Sequence, residues 1–559
     1  MRKVIFCTNL PSPYRVDFFN ELGKYCDLTV LYERHNSAER NAAWKGTDAK
    51  NFKEVYLALQ LVGVDRSKGS ALKNYIKDHE SEFLIFTNYV SPATMQAIVW
   101  CRLHGRQYYI EYDGGFNKKD TLLKSVLKNF LLKGAIGHLT TADEHIRYLK
   151  SLGIADARIY KYPFTSISEQ DIVDANVLTF DGRTYFKRKL GIKETKVVLS
   201  VGLFLHEEKY TDDYGVLMHF AESLDSSVGI YVVVEHAQNL PLDCNKVSVG
   251  NIHFIVAEGN NNLSEFYAAA DLFTILSCGE GCGQVLNEAM AYGLPIISSN
   301  QCIAGTELVD NGENGYILDL EDFNAMKKCF TELIHDDVRL SSLGKCSYIK
   351  TVCNFSQMAE IHNPFSLAAR KSIKEFAKYV LNISEDKVII SVGRFIYGKG
   401  FDVLLKAAKF MQKDTGIYII GGEPTDDYIQ MKRMHCLENV HFIGFKTKSE
   451  LSLYYQAADC VAFPTRGDVW GLITNEALAF GVPVVATDRC VSALEMIKNG
   501  KNGYIVSVGD DSALAHKIQS ALLLGAYTDC ISTAMKFTIE NMAKAHMEIF
   551  ENKKDRKVF

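Results

Sequence analysis

The chain has 559 residues, 47% of them hydrophobic and 23% charged. This composition is typical of a globular protein with an ample core and excludes a disordered or fibrous chain. The length predicts about three or four domains, and the formal net charge of −5 argues against nucleic acid as the main partner.

Several sequence features favour a cytoplasmic protein. The N-terminus has only a short apolar run, as expected for a first strand and not for a signal peptide. No apolar run approaches the roughly 18 residues of a membrane span. The 14 cysteines are scattered, as in reduced cytosolic chains. No second Cys or His pair accompanies Cys278 and Cys282 at zinc-ligand spacing, so we expect no metal site.

Residues 1–165 alternate strands and helices, which predicts a parallel, doubly wound α/β sheet. No Gly-x-Gly-x-x-Gly follows the first strand, which disfavours a dinucleotide cofactor in this domain. The predicted strands are VIFCT, DLTVLYE, FLIFTNY, QYYIEYD and residues 136–141, and the predicted helices lie near residues 16–25, 71–79, 94–103, 121–133 and 142–152.

The predicted helix that begins at Thr121 and ends at Lys133 has two interpretations. Apolar residues share one face and lysines lie off it: Leu122, Leu123, Val126, Leu127, Phe130 and Leu131, with Lys124, Lys128 and Lys133. One interpretation is a helix that covers a sheet and leaves its lysines in water. The other is an interfacial helix that touches anionic lipid or forms the groove for a lipid-linked acceptor.

Two similar segments follow a polar connector at residues 166–190. Asn287-Glu288-Ala289 in the first matches Asn475-Glu476-Ala477 in the second, 188 positions later. Further matches at similar offsets begin near residues 196 and 387 and continue to residues 362 and 546. A register held over so long a span predicts the internal duplication of a whole domain, with a first repeat at residues 190–365 and a second at residues 380–550.

Each repeat carries two carboxylates eight positions apart, Glu280 and Glu288 in the first and Asp468 and Glu476 in the second. The first acid of each pair falls in a Gly-punctuated loop and the second about two turns along the predicted helix. This arrangement places the acids at the carboxyl edge of a parallel sheet, where open α/β sheets bind ligands. An ionised carboxylate only accepts hydrogen bonds, which suits the hydroxyl groups of a sugar.

The second repeat also has two cations next to glycines, Arg394 after Gly393, and Lys399, where a strand turns into a helix. They could be solvated surface residues. A guanidinium fork, an ammonium charge and the N–H groups of a helix start would also hold a diphosphate. Together with the downstream acids, these cations indicate a site for a nucleotide-diphosphate sugar.

These motifs resemble the donor half of GT-B glycosyltransferases of family 4, which are retaining enzymes. The resemblance rests on SVGRF…KG, RGDVWGLITNEA…GVP and ALE…NG in the second repeat and on GEGCGQVLNEAMAYGLP in the first. NLPSPYRVDFFNELGK and IEYDGG are similar to the acceptor half. The resemblance implies a GT-B fold of Rossmann-like domains: an acceptor-like domain at residues 1–165 and donor-like domains at residues 190–365 and 380–550.

The resemblance also implies roles for single residues. Arg394 and Lys399, beside Gly393, would bind the donor diphosphate. Asp468 would contact the donor sugar, although the family has Glu there; Glu476 would contact the ribose, and Glu495 would support the nucleotide. We expect no cofactor beyond the donor substrate. We also expect electrostatic stabilisation of the leaving diphosphate to dominate catalysis, with no covalent nucleophile.

The first repeat departs from this pattern. Leu203 stands at the position of Arg394, and four acids between Glu207 and Asp213 occupy the region where a phosphate would bind. We therefore expect a degenerate first repeat in which Glu280 and Glu288 are vestigial. The sequence leaves open which donor-like domain pairs with the single acceptor-like domain.

The sequence thus predicts a hexosyltransferase-type glycosyltransferase, cytoplasmic or peripheral at the inner face of the membrane. The resemblance implies that it would transfer a sugar to a glycan or a lipid-linked acceptor with retention, in bacterial surface polysaccharide synthesis. One alternative is a non-catalytic nucleotide-sugar-binding or scaffolding protein derived from such an enzyme. The other is a GT-B sugar-nucleotide epimerase, which would act on the donor alone.

Overall fold

The computed structural model describes residues 1–34, 48–57, 69–112, 122–201, 217, 221, 224–234, 248–256, 263–276, 284–357 and 364–551. They belong to two compact units: unit 1 takes its residues from Met1–Ile172, Glu385–Leu451 and Ala458–Phe559, and unit 2 from Val173–Ser384 and Ser452–Ala457. The N-terminal region and the second repeat therefore share one unit, while the first repeat forms the other.

The N-terminal sheet of unit 1 is parallel throughout and has the strand order β3-β2-β1-β4-β5-β6-β7. Its strands are β1 Lys3–Thr8, β2 Asp27–Tyr32, β3 Lys53–Tyr56, β4 Phe83–Phe86, β5 Tyr109–Tyr112, β6 Gly137–Thr140 and β7 Ile159–Lys161. Its helices are α1 Pro13–Leu22, α2 Gly69–Asp78, α3 Pro92–Leu103, α4 Leu122–Lys133 and α5 Asp143–Ser151, and α6 Glu169–Asn176 follows them in the chain. Within the described residues, no helix combines the length and the apolar character needed to cross a bilayer.

The predicted doubly wound, parallel arrangement of this region is confirmed. β4, β5 and β6 are buried along their whole length, as expected for central strands covered on both faces. The prediction missed β3 and β7, which are short, lie at the two sheet edges and are only partly buried. It also began α1 too late, because Pro13 takes the first helical position, where its missing N–H is tolerated.

The C-terminal sheet of unit 1 has the order β17-β16-β15-β18-β19-β20, again with all strands parallel. The strands are β15 Lys387–Val392, β16 Thr415–Ile420, β17 Val440–Ile443, β18 Cys460–Phe463, β19 Val484–Thr487 and β20 Gly503–Val506. The helices are α14 Phe401–Ala408, α15 Asp426–Met434, α16 Lys448–Ala457, α17 Leu472–Ala479, α18 Val491–Met496, α19 Asp511–Ala521, α20 Tyr527–Ala534 and α21 Ile539–Glu551.

The sheet of unit 2 has the order β10-β11-β9-β8-β12-β13-β14, which repeats the C-terminal order with an antiparallel edge strand, β10, added. Its strands are β8 Lys196–Val201, β9 Val228–Val234, β10 Ser248–Val249, β11 Ile252–Val256, β12 Leu272–Ile275, β13 Ile296–Ser299 and β14 Gly315–Leu318. Its helices are α7 Phe180–Lys189, α8 Leu263–Ala269, α9 Gln284–Ala291, α10 Ile303–Leu308, α11 Phe323–Ile334, α12 Asp337–Gln357 and α13 Pro364–Leu381.

The unit 2 sheet and the C-terminal sheet share a side-chain cluster that the sequence analysis did not identify. In unit 2, Glu194 accepts hydrogen bonds from Tyr231 (2.9 Å) and pairs with His253 (2.7 Å). In the C-terminal sheet, a glutamate again precedes the first strand, and Glu385 bonds to Tyr418 (3.0 Å) and His441 (2.8 Å). Each cluster ties three neighbouring strands together beyond their backbone hydrogen bonds.

Unit 1 is held together by a buried polar cluster where α21 packs against α1. The guanidinium of Arg15 donates to both carboxylate oxygens of Glu111, at 2.8 and 2.9 Å, and Tyr162 donates to the same carboxylate. All three side chains are buried. Burial alone would raise the pKa of Glu111, but the charge and hydrogen bonds of Arg15 more than offset this, and the pKa is lowered.

His546 closes this cluster from α21. Its ring lies 4.8 Å from that of Phe18 and 4.4 Å from that of Tyr162, and its Nδ1 is 2.8 Å from the Met542 carbonyl, to which it donates. Burial lowers the pKa of His546 below its usual value of 6.5, against the opposing effect of Glu111. The ring is therefore neutral at pH 7, and its Nε2, 4.0 Å from the Glu111 carboxylate, makes no ion pair there.

This protonation state predicts how the stability of unit 1 depends on pH. Because the unfolded chain binds the His546 proton at about pH 6.5 and the folded chain only at lower pH, stability is lost as pH falls below about 6.5. The loss has a limiting slope of about 1.4 kcal/mol per pH unit. We expect His546→Phe to flatten the dependence of the melting temperature on pH between 7.5 and 5.5.

The matched control is His516→Phe, on an exposed position of α19, which should leave the slope unchanged. His138 is also buried, with its pKa lowered to about 4, so part of the slope should persist in the His546 variant. A slope identical in wild type and His546→Phe would contradict the assignment.

Candidate functional site: two locked turns at the edge of the C-terminal sheet

Two turns face each other at the carboxyl edge of the C-terminal sheet. The first, residues 393–400, joins β15 to α14, and the second, residues 464–471, joins β18 to α17. β15 and β18 are neighbours where the strand order reverses, which is where open α/β sheets form a ligand crevice. The Gly398 carbonyl accepts hydrogen bonds from the backbone N–H of Arg466 (2.8 Å) and the hydroxyl of Thr465 (3.1 Å).

Gly400 allows the two turns to approach this closely. Its φ of +70° lies in the left-handed region, and a Cβ built on it would stand 2.0 Å from the Pro464 carbonyl oxygen. Any side chain here would force the turns apart and would strain the backbone as well. Gly400 also forms the start of α14, so the geometry of the turn sets the direction of that helix.

Arg466 locks the turns from the side. Its guanidinium makes a two-pronged contact with Asp402, at 2.8 and 2.7 Å, and donates to the Tyr397 carbonyl at 2.7 Å. Burial would raise the pKa of Asp402, but the hydrogen bonds and charge of Arg466 lower it overall. Arg466 belongs to the predicted donor motif, but the motif implied no role for it. Its partner Asp402 is 64 positions away, and no local pattern in the sequence predicts the contact between them.

The structure brings two of the predicted site residues into direct contact. The Lys399 ammonium lies 2.5 Å from the Asp468 carboxylate and 5.4 Å from the centre of the Phe463 ring. Both charged side chains are about one-fifth exposed, at 23% and 21%. Arg394 is exposed on the same turn, and its guanidinium has no hydrogen-bond partner among the described residues. The crevice thus presents the solvated guanidinium of Arg394 and the ammonium of Lys399. The ammonium is paired with Asp468, which is predicted to bind the donor sugar.

The helix that carries Glu476 is anchored at its first turns. Asn475 accepts a hydrogen bond from the indole N–H of Trp470 at 2.7 Å and donates to the Phe164 carbonyl at 3.2 Å. The Trp470 ring packs edge-on against Phe164 at 5.5 Å. Glu476 itself is half-buried. Because Phe164 follows β7, these contacts join the C-terminal sheet to the N-terminal region within unit 1.

Glu495 makes a second contact of this kind. Its carboxylate accepts from the backbone N–H of Asp143 at 2.6 Å and pairs with Lys161 at 2.5 Å. Lys161 also pairs with the Asp143 carboxylate, at 2.7 Å. Asp143 is the first residue of α5, where backbone N–H groups and the helix dipole favour a negative charge. The structure therefore gives Glu495 two partners in the N-terminal region that the sequence did not predict.

The predicted vestigial site is described only in part. Glu288 is half-buried on α9. Burial first, then the charge of Glu288, raises the pKa of Tyr267. Glu280, Leu203 and the acidic run from Glu207 to Asp213 lie outside the described residues. The expected loss of phosphate binding in the first repeat therefore stays a prediction.

Comparison with known proteins assigns the family. The family model for glycosyl transferases group 1 matches residues 183–349 and again residues 373–537. The chain belongs to this family. The predicted α/β class with doubly wound parallel sheets of GT-B type is confirmed. The first match falls on the sheet of unit 2 and the second on the C-terminal sheet of unit 1.

Individual relatives match over shorter stretches. A capsular polysaccharide biosynthesis glycosyltransferase, CapM, of Staphylococcus aureus is 28% identical over 26% of this chain and 39% of its own length. A protein of the cps region of Klebsiella pneumoniae is 29% identical over 29% of this chain and 44% of its own length. A D-inositol 3-phosphate glycosyltransferase of Corynebacterium urealyticum is 31% identical over 30% and 43%. The chain spans about half or less of the length of these curated relatives.

Among solved structures, Anabaena Alr3699/HepE in complex with UDP is 15% identical and aligns over 64% of this chain and all of its own, with a TM-score of 0.30. WaaG, a glycosyltransferase involved in lipopolysaccharide biosynthesis, is 16% identical over 66% of this chain and 98% of its own, with a TM-score of 0.27.

The close approach of the two turns predicts that substitution of Gly400 destabilises the protein far more than substitution of Gly398. Gly400→Ala should destabilise the protein by more than about 2 kcal/mol, through the left-handed backbone and the clash with Pro464, and should abolish ligand binding at the crevice. Gly398→Ala should be tolerated, because a Cβ there meets nothing within 4 Å. Thermal unfolding and nucleotide calorimetry of both variants check this; equal melting temperatures would refute the close-approach argument.

Proposed function

We propose that the chain is a glycosyltransferase that takes its sugar from a nucleotide-diphosphate donor and transfers it with retention of configuration. The working donor site lies at the two locked turns of the C-terminal sheet. The observation that carries this proposal is the contact between Lys399 and Asp468 at the crevice of the parallel sheet, with Arg394 exposed on the same turn as Lys399. Family membership supports the reaction class.

The donor diphosphate lies against Arg394 and Lys399 where the chain turns at Gly393. Asp468 accepts hydrogen bonds from the donor sugar, and Glu476 from the ribose. In the free protein Lys399 is paired with Asp468. When the donor binds, Lys399 pairs with the diphosphate instead of Asp468. The Asp468 carboxylate can then accept hydrogen bonds from the sugar hydroxyls. Glu495 supports this end of the site through its contacts with Asp143 and Lys161.

The chemistry follows from charge. The bond between the sugar and the diphosphate breaks with negative charge growing on the leaving oxygen, and preorganised cations stabilise that charge. The donor is the only small molecule the proposal requires, with neither metal nor cofactor. Retention is checked by the anomeric proton coupling of the product in NMR; an inverted product would overturn that part of the proposal.

The first repeat is a duplicate of the second that has lost donor binding. The duplication is supported by the common strand order, by the repeated Glu–Tyr–His cluster and by the two matches to one family model. The loss is supported by the sequence at Leu203 and the acids that follow. Because the second repeat shares a unit with the N-terminal sheet, the acceptor-like and donor-like halves of one enzyme are present in unit 1.

The acceptor is a glycan or a lipid-linked glycan of a bacterial surface polysaccharide. The support is the printed role of the relative from Staphylococcus aureus, capsular polysaccharide biosynthesis, and the location of the relative from Klebsiella pneumoniae in a cps region. The reaction takes place in the cytoplasm or at the inner face of the membrane.

The donor site is tested by calorimetry with UDP and GDP on the full chain. We expect one of the two to bind with micromolar affinity, and Arg394→Ala or Lys399→Ala to abolish that binding. Glu288→Ala, in the first repeat, should bind as the wild type does. All of these side chains are exposed or half-buried, so circular dichroism and thermal unfolding should show intact variants.

Two outcomes would overturn the assignment. Loss of binding in Glu288→Ala but not in Arg394→Ala would place the working site in the first repeat. Nucleotide binding without any sugar transfer to a lipid-linked or glycan acceptor would favour the scaffolding protein instead.

Helix α4 provides a membrane contact for this enzyme. The structure buries Leu131 and Leu132 and leaves Val126, Leu127 and Phe130 exposed at 63%, 46% and 42%. A helix that only covers a sheet would bury these apolar residues. Cations flank them: Lys128 and Lys133 lie on the same helix, and the Arg102 guanidinium stacks 3.9 Å from the centre of the Phe130 ring. Exposed apolar residues beside cations are typical of interfacial helices on anionic lipid.

Co-sedimentation with vesicles that contain phosphatidylglycerol tests the membrane contact. We expect the wild type to sediment, and the double variant Val126→Glu, Leu127→Glu to remain in the supernatant, because both apolar burial and charge attraction are lost. The control is Leu523→Glu, at a leucine elsewhere in unit 1 that is even more exposed, at 86%. Equal sedimentation of all three proteins would remove the proposal.

A further inference from the structure

Unit 2 contains a cavity that the proposed donor site does not use. It lies under the amino ends of β12 and β13, where Asp271 and Pro295 precede the two strands, and its volume is about 500 Å³. Small-ligand sites typically measure roughly 300–1,000 Å³. The amino edge is opposite the carboxyl edge, where parallel sheets place their catalytic crevice. A ligand here would therefore not meet the donor acids of the same sheet.

Each carboxylate in the wall of this cavity already has a lysine partner. Asp174 pairs with Lys345 at 2.8 Å, and the buried Asp271 pairs with Lys187 at 2.7 Å. The third carboxylate, Asp337, pairs with Lys196. Only the pair between Asp271 and Lys187 is buried, with both side chains 6% exposed. A charged ligand that broke this pair would leave a buried charge without its partner, which is costly. The other two pairs have carboxylates that are more than half exposed, and such surface pairs contribute little to stability.

The wall nevertheless retains hydrogen-bonding capacity. Arg183 lines the cavity, and its guanidinium donates to the carbonyls of Ala270, Tyr292 and Gly293. These described contacts use three of the five guanidinium donors. Paired carboxylates keep free lone pairs as well, because each oxygen can accept two hydrogen bonds. The cavity can thus both donate to and accept from a ligand without a change of charge.

An aromatic ring stands at the rim. Phe180, the first residue of α7, is 63% exposed and lines the cavity. The face of an aromatic ring carries partial negative charge and attracts the weakly positive C–H groups of an apolar surface. Sugar rings combine such C–H faces with hydroxyl groups that both donate and accept hydrogen bonds, and a neutral sugar carries no charge.

We propose that this cavity is a binding site for an uncharged saccharide, separate from the site of transfer. The sugar ring stacks on Phe180, and its hydroxyls bond to Asp174, Arg183 and Ser341. The site does not rest on the proposed function, because it requires neither donor binding nor catalysis in unit 1. In a glycosyltransferase it would hold a neutral segment of the glycan, so that unit 2 serves as a carbohydrate-binding module.

Saturation-transfer NMR on the full chain tests the proposal, with maltose, lactose, cellobiose and N,N′-diacetylchitobiose as probes. We expect at least one probe to bind with millimolar affinity. Phe180→Ala, which removes the stacking ring, and Ser341→Trp, which fills the cavity from an exposed position, should each weaken it at least about tenfold. Phe410→Ala, an exposed phenylalanine of unit 1, is the matched control and should bind as the wild type does.

Three results would overturn the proposal. The first is that no probe gives a saturable signal. The second is that both cavity variants bind as the wild type does, or that Lys399→Ala loses the signal while they keep it, since the sugar would then occupy the crevice of unit 1. The third is that glucuronate or inorganic phosphate competes for the cavity more strongly than the neutral probes, since the wall would then select charge.

Discussion

The ion pair between Arg15 and Glu111 is the contact on which unit 1 depends. A carboxylate buried this deeply is tolerated only with a partner of opposite charge and further hydrogen bonds, and Glu111 obtains both from Arg15 and Tyr162. His546, from the last described helix, then seals the pair from water. The N-terminal sheet supplies the charges and the C-terminal helix supplies the cover, so neither is complete alone.

The same ion pair is connected to the candidate site. The Arg15 guanidinium stacks 5.3 Å from the centre of the Phe164 ring, which packs against Trp470 and whose carbonyl binds Asn475. Asn475 is the neighbour of Glu476 on α17. A continuous set of contacts therefore runs from the buried pair to the helix that carries a predicted ribose ligand. A change in the packing of α1 would therefore alter the position of α17 and of Glu476 in the crevice.

The unit 2 sheet and the C-terminal sheet share their strand order but differ in their loops. The Glu–Tyr–His cluster is repeated in both, as expected for a feature that holds strands together. The lock between Arg466 and Asp402 is different: at the 188-residue offset of the repeats, the first repeat has Cys278 in place of Arg466, and a thiol cannot make a forked contact with a carboxylate. Variation at the loops over a constant scaffold is the usual way in which α/β folds change their function.

Much of the fold was predictable because local patterns of apolar and polar residues specify many of its strands and helices. Apolar runs such as those of β1 and β4, and the loop–helix–strand sequence around Asp468 and Glu476, show directly in the chain. The edge strands β3 and β7 were not predicted, because short, half-polar strands lack a clear alternation of apolar and polar residues. Two ion pairs were missed for another reason, those of Arg466 with Asp402 and of Glu495 with Lys161. Their partners are 64 and 334 positions apart, and no pattern in one sequence reports such distances.

The order of the units along the chain has a consequence for synthesis. The N-terminal sheet leaves the ribosome first, but its partner helix α21 comes last, after all of unit 2. At roughly 5–20 residues per second, the interval from residue 172 to residue 551 lasts roughly 20–75 s. During that time Glu111 and the apolar surface around it lack their cover, while unit 2 is almost entirely synthesised and can fold. Throughout this interval the nascent chain therefore carries an unsealed N-terminal sheet, and exposed apolar surface of this kind is what chaperones bind.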